Sequence, residues 1–165
     1  MRRAALLFAC LLGGCHESSQ TPDAGGPFDP VQFFSGHSIG EAKLHLITGA
    51  QRQVSVDSMG TPDRHGGIVL DQAIREEGKP PRSRRWVLHP AGDNRWSGTL
   101  SDAKGPVEVE RTPTDVSIRY RMKSGPDVVQ HLKLAADATA ENHMSVTRFG
   151  VEVATLDERI RKLAN

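Results

Sequence analysis

The run Val107-Glu108-Val109-Glu110-Arg111-Thr112-Pro113-Thr114-Asp115-Val116-Ser117-Ile118-Arg119-Tyr120-Arg121-Met122-Lys123-Ser124-Gly125-Pro126-Asp127-Val128-Val129-Gln130-His131-Leu132-Lys133-Leu134 decides the fold. Val107 and Val109, then Val116, Ile118, Tyr120 and Met122, then Val128, Leu132 and Leu134 fall in phase at a spacing of two, the period of a strand with one buried face. Between them stand Pro113-Thr114-Asp115 and Ser124-Gly125-Pro126-Asp127. In such clusters proline sets the turn entry, glycine accepts positive φ and aspartate closes the turn. Connections this short leave consecutive strands antiparallel neighbours.

The pattern extends both ways. Upstream, Leu44 and Leu46 alternate with Lys43 and His45, Val54 and Val56 with Gln53, Ser55 and Asp57, and Ile68, Leu70 and Ile74 with Val69, Asp71 and Arg75. Further strands are expected at Arg84 to His89, Arg95 to Ser101, His143 to Phe149 and Val151 to Ile160, with turns at Thr48-Gly49, Gly60-Thr61-Pro62-Asp63, Gly78-Lys79-Pro80-Pro81, Pro90-Ala91-Gly92-Asp93 and Lys104-Gly105-Pro106. Ten short strands with hairpin-length connections predict an all-β, antiparallel up-and-down meander closing into a lipocalin-like barrel or a strongly curved sheet, since closure removes exposed edges. A β-sandwich is the alternative. Residues 156–163 read two ways: Leu156, Ile160 and Leu163 have helical spacing, while Val151, Val153 and Thr155 alternate. At the other end, Asp29 as N-cap and Pro30 as first helical residue predict a helical turn over Val31 to Phe34.

Before that turn the chain changes character. Arg2-Arg3, the apolar run Ala4 to Leu12 and Leu12-Gly13-Gly14-Cys15 have the form of a lipoprotein signal: a basic start, an apolar stretch too short to span a bilayer and small residues before a cysteine. The expected organisation is a signal over 1–14, lipidated Cys15 and a flexible linker over 15–30, and one β domain over 31–165. An anchor of two or three acyl chains holds stably where one does not. The linker is Ser, Gly and Pro rich and all but devoid of apolar residues. His16 after the cysteine, where an aspartate would signal otherwise, resembles the outer-membrane default of Gram-negative lipoproteins.

Cysteine use follows. Cys10 leaves with the signal and Cys15 carries lipid, so the folded body is expected to lack thiols, disulfides and thiolate metal sites. Removing Arg2 and Arg3 from a formal charge of +1 leaves −1, which gives no bias toward nucleic acid. Arg82, Arg84 and Arg85 read as a solvated strand rim. The seven histidines include His37, His45, His65, His89, His131 and His143, scattered without local pairing, so no metal site is expected. Asp57, Asp71, Asp102 and Glu108 read as turn or rim charges, and no phosphate loop or nucleophile elbow is present. With eight aromatics (two Trp, one Tyr, five Phe), the core rests on Val, Leu and Ile. Trp86 and Trp96, flanking the Pro90 to Asp93 turn, are expected to meet across two strands.

The order of several motifs resembles the bacterial lipoprotein family catalogued as domain of unknown function 3833. The likeness runs from Phe33-Phe34-Ser35-Gly36 and Gly40 through Leu70-Asp71, Gly78 and Arg84-Arg85-Trp86-Val87-Leu88. It continues with Trp96-Ser97-Gly98-Thr99, Asp102, Gly105 and Val116-Ser117-Ile118-Arg119-Tyr120. Asn142 ahead of Phe149-Gly150, then Val153 and Arg161-Lys162, close it. One departure is the absence of tryptophan from Leu134-Ala135-Ala136-Asp137-Ala138, where the family carries an Asp-Trp pair. The resemblance implies a lipocalin-like β fold in the envelope and supplies no activity.

On the residues themselves, Arg84 and Trp86 share a strand face, so the guanidinium is expected to stack on the indole or to pair with Asp102. Arg84, Trp86, Trp96, Asp102, Tyr120 and Asn142 are the candidate ligand-binding residues. The expected function is an envelope lipoprotein, tethered on the periplasmic face of the outer membrane. Its non-catalytic barrel is expected to bind an apolar or amphipathic small molecule or lipid without a cofactor. The alternative is an assembly lipoprotein that binds an envelope protein.

Overall fold

The computed structural model describes residues 28–135 and 138–164. The signal, Cys15, the linker through residue 27 and positions 136–137 of the departure just noted fall outside the described residues.

A single helical turn, α1 (Pro30–Phe34), precedes the strands. It forms as its sequence dictates: the Asp29 carboxylate accepts from the Gln32 N–H at 3.0 Å and proline opens the helix. Phe28 and Pro30 are buried, so these two residues, expected in the linker, pack with the barrel; their apolar bulk matches the barrel mouth.

Ten antiparallel strands follow among the described residues: β1 (Gly36–Leu46), β2 (Gln51–Pro62), β3 (Ile68–Glu76), β4 (Arg82–Pro90), β5 (Arg95–Leu100), β6 (Val107–Arg111), β7 (Val116–Arg121), β8 (Asp127–Leu134), β9 (Thr139–Arg148) and β10 (Val151–Lys162). Each pairs with its sequence neighbours, and β10 returns to β1 to close the barrel. Closure sets aside the sandwich. It also resolves 156–162 as strand, with Leu163 just past its end: Ser38 faces Lys162 and Leu44 faces Leu156. The unpaired edge of β1 overrides the helical spacing. β9 starts four residues earlier than expected, with Ala140 fully buried despite its weak β preference.

Inward residues come from alternate positions of every strand. They make two apolar clusters. The larger contains Phe28, Phe33, Leu70, Trp86, Val107, Val116, Val128 and Leu132, and the smaller Ala42, Val54, Val56 and Ile74. Every strand pairing and both clusters lie within residues 28–162, so this stretch carries a complete fold. α1 sits across one end of the barrel, where Lys162 Nζ donates to the Gln32 carbonyl at 2.7 Å. Gly60 on β2 lets the Phe34 carbonyl approach so closely that a Cβ there would lie 1.8 Å from it.

Candidate functional site

The two apolar clusters are separated by polar side chains placed on the inward face. Gln72 is in phase with Leu70 and Ile74 on β3, Arg84 with Trp86 on β4, Gln130 with Val128 and Leu132 on β8, and Glu158 with Ile160 on β10. Register aligns them: Ser38 faces Ser58, Ser58 faces Gln72 and Gln72 faces Arg84 on one side, and Asn142 faces Glu158 on the other. They form a polar belt around the inside of the barrel.

The belt is tightly wired. Gln72 Oε1 accepts from Arg84 Nε and from Trp86 Nε1, both at 2.7 Å, while Gln72 Nε2 donates to Ser58 Oγ at 2.9 Å. The Arg84 guanidinium lies 5.2 Å from the Trp86 ring centre, a cation–π contact. Tyr120 packs edge-on to Trp86 at 5.7 Å and receives a hydrogen bond from Gln130 Nε2 at 3.2 Å. Asn142 Nδ2 reaches both Gln130 Oε1 (3.2 Å) and Glu158 Oε2 (2.9 Å). Burial pushes the Glu158 carboxyl above its ordinary value, against the opposing pull of the Asn142 hydrogen bond and the Arg84 charge. Burial likewise pushes the Tyr120 phenol up. Gly40 makes space for the acid, since a Cβ there would lie 2.0 Å from Glu158 Oε1. Two inward atoms, Ser38 Oγ and Asn142 Oδ1, are buried without a protein hydrogen-bond partner.

A cavity of about 60 Å³ adjoins the belt, lined by Arg84, Glu158 and Asn142 on its polar side, by Trp86, Ile118 and Leu132 on its apolar side, and roofed by Pro30, Val31 and Phe34 of α1. That space accommodates a few water molecules.

Of the sequence candidates, the structure brings Arg84, Trp86, Trp96 and Asn142 to the cavity, with Tyr120 behind Trp86. Asp102 is elsewhere. It accepts from Arg82 Nη1 at 2.6 Å on the β5–β6 connection, so of the two arrangements expected for Arg84 the structure has the stacking on Trp86 and not the pairing with Asp102. The arginine rim splits accordingly: Arg84 points inward and Arg85 pairs outward with Asp71. Trp86 and Trp96 are not cross-strand partners either, because the hairpin register sets Trp86 against Leu100 and Trp96 against Pro90. Sequence reasoning missed Ser58, Gln72, Gln130, Glu158 and Gly40. The available signal was a polar residue in phase with apolar ones, as at Leu70-x-Gln72-x-Ile74.

The histidines are less scattered than they read. His131 and His143 face each other across β8 and β9, with His143 Nδ1 2.7 Å from Asp157 and His131 Nδ1 3.8 Å from Asp115. Among the described residues no group of three or more metal-ligating side chains comes together.

The family model described as "Protein of unknown function (DUF3833)" matches residues 9–162. The chain belongs to the DUF3833 family. No curated protein matches it. Among solved structures, this DUF3833 barrel is similar to an S-type phycobiliprotein lyase from Guillardia theta, with a TM-score of 0.61 at 10% identity over 82% of this chain and 92% of that one. It is also similar to a DUF3598-family protein of unknown function from Nostoc punctiforme PCC 73102, with a TM-score of 0.55 at 13% identity over 88% of this chain and 53% of that one. Identities this low establish a shared fold. They also correct the expectation of a non-enzyme: a phycobiliprotein lyase uses this architecture, so the lack of a catalytic motif in the DUF3833 sequence does not mark its barrel as non-catalytic.

Proposed function

We propose that this chain is an envelope lipoprotein, anchored through Cys15 in the outer membrane facing the periplasm, whose barrel takes an amphipathic small molecule into its interior. The observation that carries the ligand reading is the polar belt. A barrel that had only to fold would fill with aliphatic side chains, because opposite charges buried together contribute little net stability. Here Arg84 and Glu158 line one cavity and Asn142 Oδ1 is left without a protein partner, which calls for a further hydrogen-bonding group. The ligand's acidic or hydrogen-bond-accepting head meets Arg84, and its apolar body lies along Trp86, Ile118 and Leu132. A ligand of ordinary size needs about 300 Å³ or more, so it enters by displacing α1 from the mouth. The likeness to a lyase supports an interior that handles a ligand.

The test is native mass spectrometry, with extracted-lipid analysis, of the protein purified from its own envelope. A defined co-purifying molecule, lost from Arg84→Met at unchanged thermal stability, is the expected result. An apo mass under gentle conditions from both proteins would refute it. The anchor is tested separately: Cys15→Ser releases the protein from the membrane fraction if the reading is right, and leaves it there if it is wrong.

A further inference from the structure

The end of the barrel opposite α1 is built from five hairpin tips, and two of them expose apolar side chains. Phe149 on the β9–β10 tip is 93% exposed, its neighbour Val151 53%, and Ile47 on the β1–β2 tip 64%. The two tips adjoin, with the Ile47 N–H donating to the Val153 carbonyl at 2.9 Å. Phe149 and Gly150 form the two-residue turn at φ +51 and +80, a conformation that favours Asn-Gly and disfavours a bulky ring. Local structure therefore gives no reason for phenylalanine there.

Cations accompany the apolar tips. Lys79, Lys104 and Lys123 stand exposed on the other three tips, and among the described residues none is in an ion pair. Arg148 lies 5.4 Å from the Phe149 ring. The carboxylates nearby are engaged: Glu76 with Arg52, Asp102 with Arg82, Asp127 with Arg121, Glu77 with the Gln53 N–H and Glu152 with Ser145 Oγ. Counted over these residues, seven cations face five carboxylates. Apolar tips amid excess positive charge complement the surface of an anionic bilayer.

We infer that this hairpin-tip end docks on an anionic phospholipid surface, with Phe149, Val151 and Ile47 entering the headgroup layer and Arg148, Lys79, Lys104 and Lys123 meeting its phosphates. The choice of a bilayer over a protein rests on the proposed anchor at Cys15, and the lengths agree with it. From Cys15 to Phe28 is thirteen residues (28 less 15), about 43 Å when extended. A strand of twelve residues such as β10, tilted as barrel strands are, stands about 30 Å tall. The tether therefore reaches a membrane on which the far end sits, and the α1 mouth then faces the aqueous side.

The test uses the unlipidated chain from residue 16 onward, whose fold is complete within 28–162, in co-sedimentation with vesicles of phosphatidylglycerol and phosphatidylethanolamine. Partitioning is expected, weakened by 0.5 M salt and absent on phosphatidylcholine alone. Phe149→Asn, which suits the turn, lowers partitioning about tenfold or more at equal or higher melting temperature. Lys104→Gln and Lys123→Gln each lower it about fivefold. No partitioning by the parent protein, or equal partitioning by these variants, overturns the inference. Because this preparation carries no lipid, such a failure is distinct from failure of the Cys15 anchor.

Discussion

Replacing Gly60 with alanine tests whether α1 is seated on the barrel through its backbone. A Cβ at this position lies 1.8 Å from the Phe34 carbonyl oxygen, where ordinary contact begins at 3.4 Å. The two must therefore part by about 1.6 Å (3.4 less 1.8). β2 cannot give way, because Gly60 is held between Gly36 of β1 and Leu70 of β3. The obstructing atom is backbone, so no rotamer change relieves it, and α1 lifts. Overpacking of this kind costs about 1–3 kcal/mol, which lowers the melting temperature by about 3–10 °C in a domain of this size. Hydrogen exchange separates the effect from general loosening. The Phe33 and Ser35 amides, bonded to the Asp29 and Val31 carbonyls at 2.9 and 3.0 Å, are expected to exchange about 5–150 times faster, with β7 and β8 amides accelerated far less. An unchanged melting temperature with unchanged exchange at Phe33 and Ser35 would refute the seating of α1.

Two further outcomes are expected. The raised Glu158 carboxyl means that the folded protein holds this proton more tightly than the unfolded chain. The stability it contributes is full below the unfolded value near 4.5 and is lost as pH rises through the folded value. Relative to Glu158→Gln, which keeps an acceptor for Asn142, the parent protein should lose up to about 1.4 kcal/mol per pH unit across that window; a difference constant from pH 4 to 8 in urea titrations would show that burial does not penalise the charge. Leu132, 2% exposed in the larger cluster, should cost about 2–5 kcal/mol when cut to alanine, and a loss under 1 kcal/mol by urea unfolding would mean the interior collapses around the gap.

The strands were legible because two local signals coincide at each of them, period-two apolarity and a turn cluster at either end. The Asp29-Pro30 start of α1 was legible for the same reason, since capping is a local interaction. What escaped was non-local. Leu156, Ile160 and Leu163 fit a helix until β1, far away in sequence, offers β10 an edge to complete. Gln72, Gln130 and Glu158 interrupt apolar faces, and only the register of neighbouring strands shows that they answer one another. Asp102 looked reachable from Arg84, but Arg84 is held inside the barrel by Gln72 and Trp86, while Arg82, in phase with it and two residues nearer the barrel end, meets the carboxylate. Phe149 belonged to a family motif by its letter, and its exposure became apparent only with the turn.

The β1–β10 seam has a consequence for how the molecule is made. The eight strands between them zip up from neighbours in sequence order, yet the ring has no last stave until residues 154–162 arrive beside 38–46. Loop-closure entropy makes that joining the slowest kind of pairing. A chain released stepwise from its N-terminus thus holds an open, curling sheet with β1 bare along one side, and becomes a vessel only when its final strand is delivered. Shortening the chain by that one strand would cost the container its wall all the way round, since an unclosed sheet has no inside.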